Sequence, residues 1–516
     1  MDTSAWSSFN AGDMLRLAPE LLLLAGFALI LLLDLFLPTA RARQVHNGLA
    51  LAVIAVAAGL LLPQFGMKEP LLFFGGSYRI DPFSSVMKLL LLGGTGLILL
   101  LSRGVTERER ITAAGEYHAL LLSASLGALV MVSSTDLITL YIGLETLSLS
   151  SSVLAGIRRR DRKANEGAFK LFLQGGIASA IILYGMSLLY GISGSTRLDG
   201  IRESIRTVDP GFIPLLYAAA ILLLVGIGVK LAAAPFHDGA IAASEGASPP
   251  IAAFHAVIGR GAGIALLLRL FYGGFYGQPV PEGALAEGAS LLAQDAFQGI
   301  LVLAVLSTAV GNLLALRQTN GRRLLAYAGV AGTGCLLLPA GISFSTVSLT
   351  SLAELVYAFT AYLLMMLGSY AGLMIVERLS GNSELSGFSG LYYRSPGTAA
   401  ALLLVLLSLA GLPVTAGFFS KLFLLFGAVQ LRMYGIALFM AVASVLALVY
   451  VFRLIRQMFL RGEWEASPNA NPNDTIPWTL KAVLWGCAIT GVLLGLFPQM
   501  LLGPITNIFK RAMDFF

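Results

Sequence analysis

The chain has 516 residues, 57% of them hydrophobic and 12% charged, with a formal charge of +6. Soluble domains carry about 25% charged residues, so this composition excludes an ordinary soluble enzyme and indicates one polytopic membrane domain over the whole length. A pI near 9.3 does not call for a nucleic-acid partner, because the basic excess has a home in the loops.

Windows of about 20 apolar residues mark membrane spans. They predict an all-α polytopic membrane protein with fourteen transmembrane helices, near 17–37, 47–64, 85–102, 115–133, 136–157, 166–190, 213–236, 250–272, 297–316, 323–341, 350–376, 398–429, 435–456 and 478–502. The first run, "PELLLLAGFALILLLDLFLP" (19–38), is longer than a signal-peptide core and lacks a basic leader and a small-residue cleavage site, so it reads as a retained helix. Glu20, directly after Pro19, reads as an interfacial helix end. Lys88 and Arg269, near span ends, read as snorkelling to the headgroups.

The fifth span contains "YIGLETLSLSSS" (141–152), with Glu145 inside an apolar stretch. A charge at the bilayer centre costs at least about 2.5–3.5 kcal/mol and is seldom without a role. Lys170 lies in the sixth span, Lys230 in the seventh, Arg260 in the eighth and Lys421 in the twelfth. Lys170 stands close enough to a basic loop for snorkelling to compete with function. For Glu145, Lys230, Arg260 and Lys421 two readings stand: ion pairs that lock helices together, or a proton relay. Burial and pairing act oppositely on the ionisation of such groups, so a paired carboxylate and ammonium can be poised to exchange protons with internal water.

Two of these lysines lie beside helix breakers. In "GIGVKLAAAPFHDG" Pro235 follows Lys230 by five residues, and in "LAGLPVTAGFFSKLF" Pro413 precedes Lys421 by eight. Proline removes a helical hydrogen bond, so spans seven and twelve are expected to be broken at membrane depth. Paired broken helices suggest two inverted five-helix repeats, residues 115–272 and 297–456, around a site near the midplane. His237 beside Pro235 is either a proton donor at a channel mouth or a packing residue, and His255 could extend a hydrated path. Glu354 could pair across helices or lie near the headgroups.

Lysines and arginines are unevenly shared between loops: the odd-numbered loops hold eighteen, the even loops and termini nine. The positive-inside rule then places the odd loops in the cytoplasm and both termini on the periplasmic side. Cys335 and Cys487 stand apart in apolar runs, with no spacing for a disulfide framework, a zinc site or an iron–sulfur cluster. No dinucleotide fingerprint, P-loop or nucleophile elbow is present.

Five segments carry a family resemblance: 116–156 around Glu145, 165–195 around Lys170, "GVKLAAAPFH" (228–237), "GNLLALRQTNGRRLLAYAGVAGTG" (311–334) and "LSLAGLPVTAGFFSKLFLLFGAV" (407–429). Together they resemble the subunit N family of bacterial respiratory complex I, the proton-pumping NADH–quinone oxidoreductase, from about residue 15 to 505. The resemblance implies an antiporter-like subunit of the membrane arm in the bacterial inner membrane. Its partners would be the other membrane-arm and peripheral-arm subunits, lipid, protons and internal water. It implies no cofactor in this chain, with flavin (FMN), iron–sulfur clusters and quinone held by partner subunits. It also implies that Glu145 modulates Lys230, that Lys421 serves the exit half-channel, and that Lys170 is a recurrent sixth-helix lysine. Three departures stand out: Arg260 replaces a central lysine, Gly332 replaces a histidine, and "DGAIAASEG" follows "PFH". Arginine stays protonated in proteins and can hold a charge and order water, but cannot easily take and release a proton. Rival expectations are a subunit of a multisubunit sodium/proton antiporter or a membrane-bound hydrogenase, a non-pumping scaffold subunit of complex I, and a free-standing transporter.

Overall fold

The structure is a computed structural model that describes residues 15–37, 39–67, 69–103, 114–275, 284–342, 349–460 and 476–511. Among these, thirteen helices are long and apolar enough to cross a membrane. Each falls on a predicted span. The remaining predicted span, 398–429, is two shorter helices, Pro396–Ala410 and Ala416–Gln430. The last prediction, 478–502, runs one helix into the next: Trp478–Leu496 ends before a separate helix, Gln499–Arg511. Large apolar side chains such as Leu32, Ile142, Leu183 and Val445 are exposed on the outside of the bundle. In water such a surface would aggregate. Against lipid it is the expected exterior, and the chain is a multi-pass membrane protein.

Helix ends follow local chemistry. Asp136 caps Leu137–Ala155 by accepting from the backbone of Ile138 (2.9 Å) and Thr139 (3.2 Å), and Asp161 caps Arg162–Ser193 in the same manner. Such caps satisfy donors that a helix leaves open at its first turn. Helices Ala114–Ser133 and Leu137–Ala155 then pack backbone on backbone. A methyl group at Gly127 would stand 2.6 Å from the Leu147 nitrogen, and one at Gly143 would stand 2.9 Å from the Met131 nitrogen. Small residues permit this approach, which is how membrane helices gain contact without a hydrophobic drive between them.

The loops sort onto two faces. Isolated bridges join Tyr78 to Ser134 and Asp136 to Arg197, linking the second, fourth and sixth loops. On the other face Asn320 bridges Glu384, Arg322 pairs with Glu377 at 2.6 Å and Arg323 with Glu245 at 3.5 Å. These contacts join even loops to even loops and odd loops to odd loops, as alternate crossings require. Lys68, Arg108, Arg110 and Arg461 of the loop charge pattern lie outside the described residues.

The snorkelling expectation for Lys88 and Arg269, and the interfacial one for Glu20, are corrected. A two-stranded hairpin, Leu71–Phe73 paired with Tyr78–Ile80, packs at the helix ends and shuts these groups away from water. Lys88 is fully buried and its Nζ lies 2.7 Å from Glu20 Oε1, while Tyr78 donates to the same carboxylate at 2.7 Å. Arg269 is 1% exposed, reaches Asp81 at 2.7 Å and donates to the Val132 carbonyl at 2.9 Å. Hairpin residues were invisible to a search for spans, and they turn expected headgroup contacts into buried ion pairs.

Candidate functional site

Lys230 is the last residue of helix Ile213–Lys230. The helix stops there because Pro235 has no N–H to offer the carbonyl of Leu231, four residues back. The chain instead bends through Ala233, whose N–H reaches the Gly228 carbonyl at 2.8 Å. Ala234 is tied to the Ser307 hydroxyl at 2.9 Å. A helix C-terminus carries partial negative charge, which favours an ammonium at this position.

The Lys230 ammonium has three side-chain partners: Glu145 Oε1 at 3.4 Å and the hydroxyls of Ser148 and Ser179, both at 2.8 Å. Ser179 in turn donates to Glu145, and its Oγ also lies 2.8 Å from the Gly175 carbonyl. One hydroxyl proton cannot serve both acceptors at once, so Ser179 can switch between the carboxylate and its own helix. The serines were missed in the sequence. Ser148 stands three residues after Glu145, one helical turn along the same face, which is the signal that could have found it.

The ammonium lines a cavity of about 80 Å³ together with Ser151, Gln174, Ser244, His255 and Arg260. Its size and these polar side chains, set in a mostly apolar wall, suit several waters, each of which needs about 10–15 Å³. His255 reaches the Ser151 carbonyl at 3.2 Å through Nε2. Gln174 also borders an outer vestibule of about 690 Å³ on the odd-loop face, shared with Lys163, Glu166, Lys170, Asp238, Glu245 and Tyr327. There Lys170 pairs with Glu166 at 2.6 Å, with about half of its side chain exposed. It belongs to the mouth, not to the buried line. His237 is buried at the same rim, 3.8 Å from Asp238, with its ring edge-on to Tyr327.

Arg260 is 3% exposed and donates through Nη1 to the Tyr362 hydroxyl at 2.9 Å. The two sequence departures acquire a steric account here. A Cβ at Gly329 would fall 2.0 Å from Arg260 Nη1, and one at Gly332 would fall 2.4 Å from the Tyr362 ring. Where the resemblance implies a histidine at Gly332, the ring of Tyr362 from the next helix stands where that side chain would begin, and Gly332 itself borders a cavity.

Beyond Tyr362 a second cavity, about 50 Å³, extends past Thr308 and Asn312 to Ser420 and Lys421. Lys421 lies on Ala416–Gln430 and turns back to the end of Pro396–Ala410, donating to the carbonyls of Leu409 (3.3 Å) and Ala410 (2.9 Å). Those carbonyls lack helical partners because the helix stops at Gly411, whose φ of +80° suits glycine. Both expected breaks are present, but Lys230 precedes its break and Lys421 follows its own. Glu354 is half-buried and without an ion-pair partner among the described residues.

Residues 134–447 match the family described as NADH:quinone oxidoreductase/Mrp antiporter, TM, over more than half of the chain. The chain belongs to this antiporter family. Its relatives include NADH-quinone oxidoreductase subunit N of Paenibacillus sp. (strain JDR-2), 38% identical over 98% of each chain. Subunit N of Brevibacillus brevis is 37% identical over 98% of this chain and 96% of that protein. Among solved structures, a chain of respiratory complex I from Thermus thermophilus with bound aureothin superposes with a TM-score of 0.75 at 30% identity, covering 94% of this chain and 98% of that one. The matched antiporter segment contains Glu145, Lys170, Lys230, His237, His255, Arg260, Tyr362 and Lys421 alike.

Proposed function

We propose that the chain is a proton-translocating, antiporter-like membrane-arm subunit of NADH–quinone oxidoreductase, the enzyme for which its subunit N relatives are named. The observation that carries this reading is the buried line from Glu145 and Lys230, through Arg260, to Lys421, with cavities on both sides of Arg260. A lock of two charges would need no cavity beside it. Polar groups in each wall, Ser148, Gln174 and Ser244 in one and Asn312, Ser420 and Lys421 in the other, give water partners, and water joins ionisable groups too far apart to touch. Sequence identity of 38% to a subunit N relative and 30% to a chain of a complex I structure favours this role over a sodium/proton antiporter subunit.

In this reading protons enter from the vestibule past Gln174, with Lys170 and His237 at the mouth and His255 extending the path. Lys230 is held charged when Glu145 and the two serines face it. Loss of the Glu145 contact sends its proton along water ordered by Arg260 towards Lys421. Flavin, iron–sulfur clusters and quinone belong to partner subunits, and this chain performs no redox step itself. The units 115–272 and 297–456 act as inverted repeats about the broken helices. Both termini face the periplasm of a bacterial inner membrane.

The test uses inverted membrane vesicles carrying Glu145→Ala, checked for assembled complex, with NADH-driven proton uptake and NADH oxidation recorded together. Loss of both with assembly intact supports the relay. Wild-type uptake and turnover would remove Glu145 from it and leave the scaffold role.

A further inference from the structure

We infer that the Tyr362 hydroxyl is the junction through which protons cross between the two cavities. The inference rests on the proposed relay and names the group that closes its central gap. No residue lines both cavities: one is bounded by Lys230, His255 and Arg260, the other by Lys421, Ser420 and Asn312. Tyr362 lines the second cavity. Its only polar side-chain atom, however, is bonded to the wall of the first. The hydroxyl accepts from Arg260 Nη1 at 2.9 Å and donates to the Ala256 carbonyl at 2.7 Å, and both partners border the first cavity.

The surrounding backbone is shaped for this contact. Ala256 lies in the π-helical turn His255–Gly259 within the long helix Pro249–Phe275. A π turn disturbs the regular ladder and recurs at functional sites; here it coincides with the carbonyl offered to Tyr362. On the other side, Gly329 and Gly332 leave the space that the guanidinium and the phenol ring occupy. Tyr362 is 1% exposed, so bulk water does not reach its hydroxyl.

Arg260 cannot carry the proton because it does not release one. A phenol can pass one without ending ionised. With the hydroxyl turned away from Ala256, a water carrying an excess proton in one cavity gives it to the lone pair of the oxygen and is left neutral, while the original O–H proton leaves to a water of the other cavity, which carries it on. The hydroxyl is neutral before and after. It then rotates to recover its bond to Ala256, and while that bond is intact the junction is closed. Arg260 acts as a positioning residue that holds the oxygen and bars a second proton by its charge.

The experiment compares Tyr362→Phe, Tyr362→His and Lys230→Met in the assembled complex in inverted vesicles. Proton uptake per NADH and NADH–quinone turnover are normalised to complex content. Tyr362→Phe keeps the ring and loses the shuttle, so coupled turnover is expected to fall by about 10²-fold, the lower end for a lost proton-transfer group. Tyr362→His restores an atom that accepts and releases protons and should recover part of the loss. Wild-type coupling in Tyr362→Phe, with Lys230→Met inactive, overturns the junction and leaves the relay standing. Wild-type coupling in Lys230→Met overturns the relay itself. Equal loss in the phenylalanine and histidine variants assigns Tyr362 a packing role and overturns the junction. If neither variant assembles, 3-fluorotyrosine at position 362 keeps the shape and changes the acidity of the hydroxyl. A shifted pH profile of coupled turnover then supports the junction, and an unchanged profile overturns it.

Discussion

Removing the two charges of the Lys230–Glu145 pair separately and together tells a relay from a clamp. At 3.4 Å and an effective dielectric near 20, the Coulomb attraction is about 5 kcal/mol. Deleting one partner of a buried pair costs about 3–5 kcal/mol, much of it from the charge left behind. Glu145 keeps 22% of its side chain exposed and Lys230 keeps 12%, so the lower end applies, about 3 kcal/mol. In Lys230→Met the carboxylate retains the Ser179 hydroxyl, and in Glu145→Gln the ammonium retains Ser148 and Ser179. Each single variant should lower the thermal stability of the subunit in the solubilised complex. The double variant removes both charges and should return to within about 1 kcal/mol of wild type, so the two losses do not add, as holds for residues in contact. Proton uptake in vesicles should remain lost in the double variant, because no group is left to take the proton. A double variant that recovers both stability and uptake would refute the relay and make the pair a clamp.

Gly411→Ala forces an L residue into φ +80° and places its Cβ 2.9 Å from the Lys421 chain. A strain of about 1–2 kcal/mol and a displaced ammonium should reduce proton uptake more than assembly, read on the same vesicles. Lys88→Met leaves Glu20 buried beside Tyr78 and should destabilise by about 3–5 kcal/mol, with Lys88→Met/Glu20→Gln recovering most of it in a thermal assay. Outside the membrane, Arg197 hydrogen-bonds Asp199 and holds its carboxyl below the ordinary value of 3.8. A lowered folded value stabilises the fold above the unfolded one and is lost as pH falls through it. The thermal difference between wild type and Asp199→Asn should therefore be constant from pH 5 to pH 8, an interval chosen above about 3.8, and shrink only in stronger acid.

How the chain crosses the membrane was written in the sequence, because lipid imposes a rule that a linear reading can apply: about 20 apolar residues, and charges only where something demands them. That rule found Glu145, Lys230, Arg260 and Lys421, and the prolines at 235 and 413 announced the broken helices. It failed where an answer depended on residues distant in the chain. Lys88 and Arg269 were read as reaching for headgroups, since nothing local shows that a hairpin at 71–80 will cover them. Gly332 looked like the loss of a relay group, and only the packing of the helix carrying Tyr362 shows that a tyrosine ring stands where its side chain would begin. Tyr362 itself has no signal, as one tyrosine in an apolar helix is ordinary. Hydrophobicity is a property of each segment alone and survives in the one-dimensional string. The contacts that give a hydroxyl or a carboxylate its partner come from groups distant in the chain, 106 residues apart in the bond from Tyr362 to Ala256 and 188 in that from Arg269 to Asp81, and exist only once the bundle has closed.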